Sequence, residues 1–376
     1  VKIAELELVA LPGADDWPVL VAVVRTDDGL TGIGEVGMRG RERAAVGVVE
    51  DLRPLLVGVD ATRIEHIWQV GFRSVFFPSD RHHGSVLAGI DQALWDLRGQ
   101  ALGVPVFSLL GGRSRDYVPA YAHVRGGGMD DVLNHAAELA EAGWKHLRFT
   151  AWDPREPEYD ARRAVRWTVE LMQELRAGLG DEIELLIDAH TRLDLAEAVQ
   201  LCRELEPVRP FFVEDPLRSE HLAAYKSLRG RVGVPLAAGE QFVTKWEFRQ
   251  LVEDELIDHA RIDLGHTGIT EGRKIAALCE THHVQLALHN SIGPVCTAAS
   301  TQLTTALPNV SVQEQAHRFA SQVGAFTSSV VLEPGRLIAS DTDPGIGIKA
   351  DLSQATAPQT ATIPRLHRPD GSVTNW

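Results

Sequence analysis

Two periodicities divide the chain. Near the start, apolar and β-branched runs (Val1–Ala10 and Val19–Arg25) are separated by Asp27-Asp28-Gly29, a turn signal, which predicts antiparallel strands. Helical spacing takes over from about Arg43 to Leu56. It returns in Ser85–Gln100, where Ile90, Ala93, Leu94 and Leu97 recur on one face. Leu110-Gly111-Gly112 then breaks the chain. Strands followed by helices is the α+β pattern, which we assign to residues 1–117.

From Val118 the texture changes. Short apolar runs, each closed by a polar residue, alternate with amphipathic segments: Leu185–Asp188, Phe211–Glu214, Pro235–Glu240, Ala260–Asp263, Val284–His289 and Val310–Glu314. Between the first two, Leu195, Val199, Cys202 and Leu205 share a helical face. Alternation of this kind predicts parallel βα units and, at this length, a closed barrel over residues 118–320. Past about Phe319 the repeat fades and Gly, Pro and Thr increase. Residues 321–376 are therefore expected to pack back on the first domain.

The closing polar residues are themselves periodic. Asp188 to Glu214 is 26 residues, Glu214 to Glu240 another 26, Asp263 follows after 23, His289 after 26 and Glu314 after 25. One βα unit has about this length, so these side chains occupy equivalent strand ends, where barrels of this kind assemble their active sites.

Bulk properties narrow the partners. The 376 residues exceed a typical single domain, and 44% hydrophobic content suits a large core. A formal charge of −15 disfavours nucleic acid and anionic membranes, and no apolar run approaches a membrane span. An anionic substrate would need local cations to reverse that field. Cys202, Cys279 and Cys296 lack metal-like spacing and fit buried thiols in a reducing compartment. The opening residues do not read as a signal peptide, so a cytoplasmic location is expected.

Three carboxylates brought together need a cation between them, and oxygen-only ligation by Asp188, Glu214 and Glu240 favours a hard ion such as Mg²⁺. Asp263 and His289 stand on adjacent repeats. A carboxylate on one imidazole nitrogen orients the ring and leaves the other to take a proton. His190, two residues after Asp188, faces the same way in strand alternation; it is either a further ligand or a general acid, and its position opposite His289 favours the acid. A barrel-type zinc hydrolase would want several histidine ligands, and no such set is evident.

The strings GIDQALWDLRG (Gly89–Gly99), LLGG, IDAH (Ile187–His190), FVEDP, AAGEQ, GITE and VQEQ (Val312–Gln315) resemble the mandelate racemase subgroup of the enolase superfamily, especially its acid-sugar dehydratases. The resemblance implies a (β/α)7β barrel, a modified TIM barrel, under an α+β capping domain built from both chain ends. It also implies Mg²⁺ on the triad, the Asp263–His289 dyad as base, His190 as acid and Glu314 near the substrate carboxylate. The expected chemistry removes the proton alpha to a carboxylate, expels the β-hydroxyl as water and yields a 2-keto-3-deoxy acid from an aldonate of the galactonate type. A histidine base working with Mg²⁺ is part of what that resemblance implies.

Two departures matter. Where many relatives carry a lysine base, this chain has Arg148, which stays protonated and suits anion binding, with Thr150 beside it. That disfavours racemisation, which needs a base on each face, and so speaks against the racemase, epimerase or cycloisomerase alternative. It leaves a mannonate-type alternative in which Arg148 works with Tyr159. The segment from Asp263 to Thr270 is one residue shorter than the usual double-glycine form, around His266. His266, Asn290, His82 and Trp17 complete the candidate substrate contacts. A catalytically idle binding barrel is the alternative outside enzymology. A homo-oligomer is expected by default.

Overall fold

The computed structural model describes residues 1–14, 18–77, 79–152, 158–290, 293–315, 322–361 and 366–374. Its first layer is an antiparallel sheet of β1 (Ile3–Pro12), β2 (Pro18–Thr26) and β3 (Thr31–Glu35), in that order. Strand β2 is buried on both faces, which explains why its sequence is continuously apolar. Leu20, Ala22 and Val24 pack on α1 (Glu42–Leu56) and α3 (Arg81–Leu102), with α2 (Ile64–Arg73) alongside; Val19, Val21 and Val23 join the larger core. The stripe of Ile90, Ala93, Leu94 and Leu97 is the face of α3 buried here. Gly32 and Gly34 let α3 lie directly on β3, since a Cβ there would come within 2.2 Å of Ala93 O and 1.9 Å of Gly89 O.

After α4 (Val106–Leu109) the chain winds a closed parallel barrel. Its strands are β4 (Val118–His123), β5 (His146–Thr150), β6 (Glu184–Asp188), β7 (Phe212–Glu214), β8 (Leu236–Ala238), β9 (His259–Ala260), β10 (Gln285–Leu288) and β11 (Val310–Gln315). Each strand pairs with the next, and β11 returns to β4. Between them run α5 (Met129–Glu141), α6 (Ala161–Leu179), α7 (Leu195–Leu205), α8 (Leu222–Arg229), α9 (Lys245–Glu253), α10 (Leu264–Thr281) and α11 (Pro294–Ala306). Among the described residues this is eight strands and seven intervening helices, the (β/α)7β expectation. Tyr121, Leu186, Phe212, Ala237, Ala287 and Val312 fill the interior, so the barrel is packed and its chemistry is confined to the rim.

Beyond the barrel, β12 (Gln322–Val323), β13 (Phe326–Ser328) and β16 (Ile348–Ala350) form a small sheet, while β14 (Val331–Glu333) and β15 (Arg336–Ile338) extend the barrel sheet beside β4. Thr356 and Ala10 exchange main-chain hydrogen bonds at 2.9 Å, which joins the last segment to β1. The first layer sits on the barrel rim through α3 and α10: Trp95 Nε1 donates to Thr270 Oγ1 at 2.9 Å. Lys245 and Lys274 converge on the buried Glu271 at 2.9 Å, and Lys274 also reaches Glu65 of α2. No helix among the described residues is long and apolar enough to cross a membrane.

Candidate active site

The rim collects the strand ends because the barrel register aligns them. Asp188 lies directly opposite Glu214 across β6 and β7, and Arg148 opposite His123 across β4 and β5. Asp263 and His289 form a parallel bridge. Their side chains also meet: His289 Nδ1 is 2.6 Å from Asp263 Oδ2, while Asp263 Oδ1 accepts the Gly265 N–H at 2.6 Å. One carboxylate thus caps α10 and fixes the imidazole. The other ring nitrogen, Nε2, faces Glu240 Oε2 at 3.4 Å and Glu314 Oε2 at 3.7 Å. Burial would lower the His289 pKa, but Glu240, Glu314 and Asp263 together push it up to about 10. Against burial, which raises it, His289, His190 and Arg261 hold Glu240 at about 2.

His190 does reach the rim, but not by strand alternation. Strand β6 ends at Asp188, and His190 and Thr191 have φ of 52° and 59°. The chain turns in the left-handed region, so the His190 N–H donates to Asp188 Oδ1 at 2.6 Å and Nδ1 lies 3.2 Å from Asp188 Oδ2. Burial, opposed by Glu240, brings the His190 ring to about 4.

Glu214 and Glu240 of the expected triad come together with a third carboxylate, Asp215. Ligand oxygens of Glu214, Asp215 and Glu240, all buried, lie within 4.8 Å of one another. Asp188 is instead engaged by Arg148 Nη2 and by His190. Asp215 enters because its φ of 36° turns a residue that alternation would send outward back toward the rim. Burial and neighbouring carboxylates raise Asp215 well above its usual range, and burial above all pushes Glu214 up to about 7. Among the described residues no donor hydrogen-bonds to Glu214 Oε2 or Asp215 Oδ2, while Glu214 Oε1 is ion-paired with Arg261. Such buried, mutually repelling oxygens fit a hard divalent cation, with Asp188 adjacent to take part once released from Arg148.

Arg261, unanticipated from the sequence, is the fully buried counter-charge. Its Nη2 lies 2.6 Å from Glu214 Oε1, off hydrogen-bond alignment, and donates to Glu314 Oε2 at 2.8 Å. Period-two alternation from Asp263 would have found it. His123 was also missed, although it closes an apolar run 25 residues before Arg148, extending the same period upstream. Its Nε2 contacts Glu314 Oε1 at 2.6 Å, and burial lowers its pKa to about 4. Asn290 N–H also donates to Glu314 at 2.9 Å, so protein donors hold this carboxylate in place at the rim, 3.7 Å from His289 Nε2.

The remaining candidates separate. Thr150 accepts from Arg148 Nη1 at 2.9 Å and stays at the rim. His266 does not: its two ring nitrogens lie 2.7 Å from Glu240 O and 2.8 Å from Gly37 O, so it ties the first domain to the barrel instead of offering a substrate ligand. The Asn290 amide is turned into the start of α11, on Gly293 O and Thr297 Oγ1. Tyr159 is buried, its hydroxyl has no hydrogen-bond partner among the described residues, and burial pushes it up to about 12. It is a poor base, and Arg148 pairs with Asp188 rather than with it. His82 is half exposed at the start of α3, 3.8 Å from Asp80. Trp17 lies outside the described residues. Arg192, stacked on Trp152 at 5.1 Å, adds to Arg148 and Arg261 the local positive charge that an acidic chain needs.

Residues 9–111 match the mandelate racemase / muconate lactonizing enzyme N-terminal domain, and residues 131–355 the enolase C-terminal domain-like family. A D-galactonate dehydratase of Verminephrobacter eiseniae is 35% identical over 94% of this chain and 95% of its own. A D-mannonate dehydratase of Caulobacter sp. is 32% identical over 94% of both chains. An enolase of Pantoea ananatis solved with D-gluconate and magnesium superposes with a TM-score of 0.91 at 28% identity, covering 100% of this chain and 99% of that one.

Proposed function

The chain belongs to the mandelate racemase / muconate lactonizing enzyme group of enolase-like proteins, and from that membership we propose a Mg²⁺-dependent dehydratase of aldonates of the galactonate type. It is a sugar-acid dehydratase, a hydro-lyase, by its likeness to named enzymes of that activity over nearly the whole chain. The observation that carries the reading is the Asp263–His289 pair, aimed at a buried carboxylate cluster with His190 beside it.

A proton alpha to a carboxylate is very weakly acidic. Asp188, Glu214 and Glu240 would hold a magnesium ion, which supplies charge stabilisation to the substrate carboxylate when bound. His289 Nε2 takes the α-proton, and Asp263, on Nδ1, keeps the ring oriented and stabilises the charge it acquires. For that, the ring must first be neutral. A cation held at Glu240 would offset part of the carboxylate charge that raises the ring's pKa. His190 then gives a proton to the leaving β-hydroxyl. Burial opposes the charged ring, and Glu240 favours it. Arg148 holds substrate oxygen and cannot serve as a second base, so the site runs elimination rather than racemisation. A cytoplasmic homo-oligomer acting on a small anion completes the proposal.

The test is a panel of aldonates and aldarates with Mg²⁺ or EDTA, scored for 2-keto-3-deoxy product and for α-proton exchange in D₂O. His289→Asn should abolish exchange. His190→Asn should retain it while slowing water loss by about 10²- to 10⁴-fold. Full exchange in His289→Asn would show that the base is another group.

A further inference from the structure

We propose that Glu35, on the sheet of the first domain, is a positioning residue for the base, holding the start of α11, which follows the strand of His289, in register with the turn that carries Asp263. The inference rests on His289 being that base. Glu35 is the last residue of β3 and is fully buried. Its Oε2 accepts the Cys296 N–H at 2.9 Å, and the Val295 N–H also bonds to its carboxyl. These are first-turn donors of α11, which no side chain of its own caps because the N-cap residue is Gly293. The helix that follows the base strand is therefore capped from another domain.

The same strand end reaches the other half of the dyad. Gln92 donates both to Glu35 O at 3.1 Å and to Leu264 O at 2.6 Å. Gly37 N–H donates to Gly265 O at 2.9 Å, within the turn whose Gly265 N–H is bonded to Asp263. Cys296, held by Glu35, places its Sγ 3.5 Å from Asp263 Oδ1. Among the described residues no donor hydrogen-bonds to Glu35 Oε1, and burial, with Asp263 nearby, pushes the carboxyl up to about 8 against the opposing charge of Arg39. A buried carboxyl with an unsatisfied oxygen is a costly way to fill space, so packing alone does not account for it. Room for it exists because residue 293 is glycine: a Cβ there would lie 2.7 and 2.9 Å from the two carboxyl oxygens.

The variants are Glu35→Leu, which removes the acceptor, Glu35→Gln, which keeps one, and Gly293→Ala, which displaces the carboxyl from the other side. We expect Glu35→Leu and Gly293→Ala to lower kcat for α-proton exchange about 10- to 100-fold with KM within about threefold, and Glu35→Gln to recover most of it. The downfield imidazole N–H resonance of the dyad, assigned by its loss in His289→Asn, should shift or vanish with kcat. If Glu35→Leu does not fold, Gly293→Ala decides. Unchanged kcat and resonance in the folded variants would overturn the proposal, as would a rise in KM alone. A resonance lost in Glu35→Leu from a wild-type chain that exchanges no sugar acid would sink the dehydratase reading and leave the positional one standing.

Discussion

Arg261 shows what a single buried charge does at this rim. Its guanidinium lies between Glu214 and Glu314, and Nη1 donates to Ala287 O at 3.0 Å, so removing it strands two carboxylates out of reach of water. Arg261→Met should lose about 3–5 kcal/mol in urea denaturation with EDTA, because breaking a buried pair leaves its partners uncompensated. Added Mg²⁺ should recover part of that loss by neutralising the same oxygens; an unchanged midpoint in EDTA would show that the pairing is unimportant. At this scale the sequence was uneven. Strand-end residues such as Asp263 and His289 were legible because they closed apolar runs at a fixed period. Asp215 was not, since only a local left-handed φ turns it inward.

At the scale of elements, α10 explains the short segment after Asp263. There the Asp263 side chain caps a helix that begins at once and then kinks at Gly268, with φ of 68°. A Cβ on Gly268 would come 2.7 Å from Asp91 Oδ2, the oxygen that accepts the Thr270 N–H at 2.9 Å. Gly268→Ala should therefore cost about 1–3 kcal/mol by strain and overpacking. Thermal melts of the variant would check this, and a stability equal to the wild type would mean the kink is not enforced. The single turn before the kink carries His266 to Glu240 O and Gly37 O, which is why a candidate substrate ligand became a tie between domains.

For the whole molecule, part of the acid sensitivity is expected at the N-terminal ends of the barrel strands. His146 and His259 begin β5 and β9 and pack around Phe211, and burial lowers both rings to about 4. A histidine kept neutral in the fold but free to charge when unfolded supports stability above pH 6.5, and that support is lost as pH falls toward 4. Each ring contributes on the order of 3 kcal/mol at most. His146→Phe should flatten the fall in melting temperature between pH 6.5 and 4.5; an unchanged slope would assign acid unfolding to other groups.

Amphipathic period and strand-end spacing determined the barrel, the capping layer and most of the rim, because burial repeats with the geometry of the elements and so leaves a regular mark on the chain. The pairings at the rim were decided only in three dimensions. Whether Asp188 faces Arg148, whether Glu314 is taken by His123 and Arg261, and whether a carboxyl from β3 caps α11 depend on side chains between 24 and more than 250 residues apart. Electrostatics and hydrogen bonding among such groups have no period, so nothing along the chain announces them until the fold brings them together.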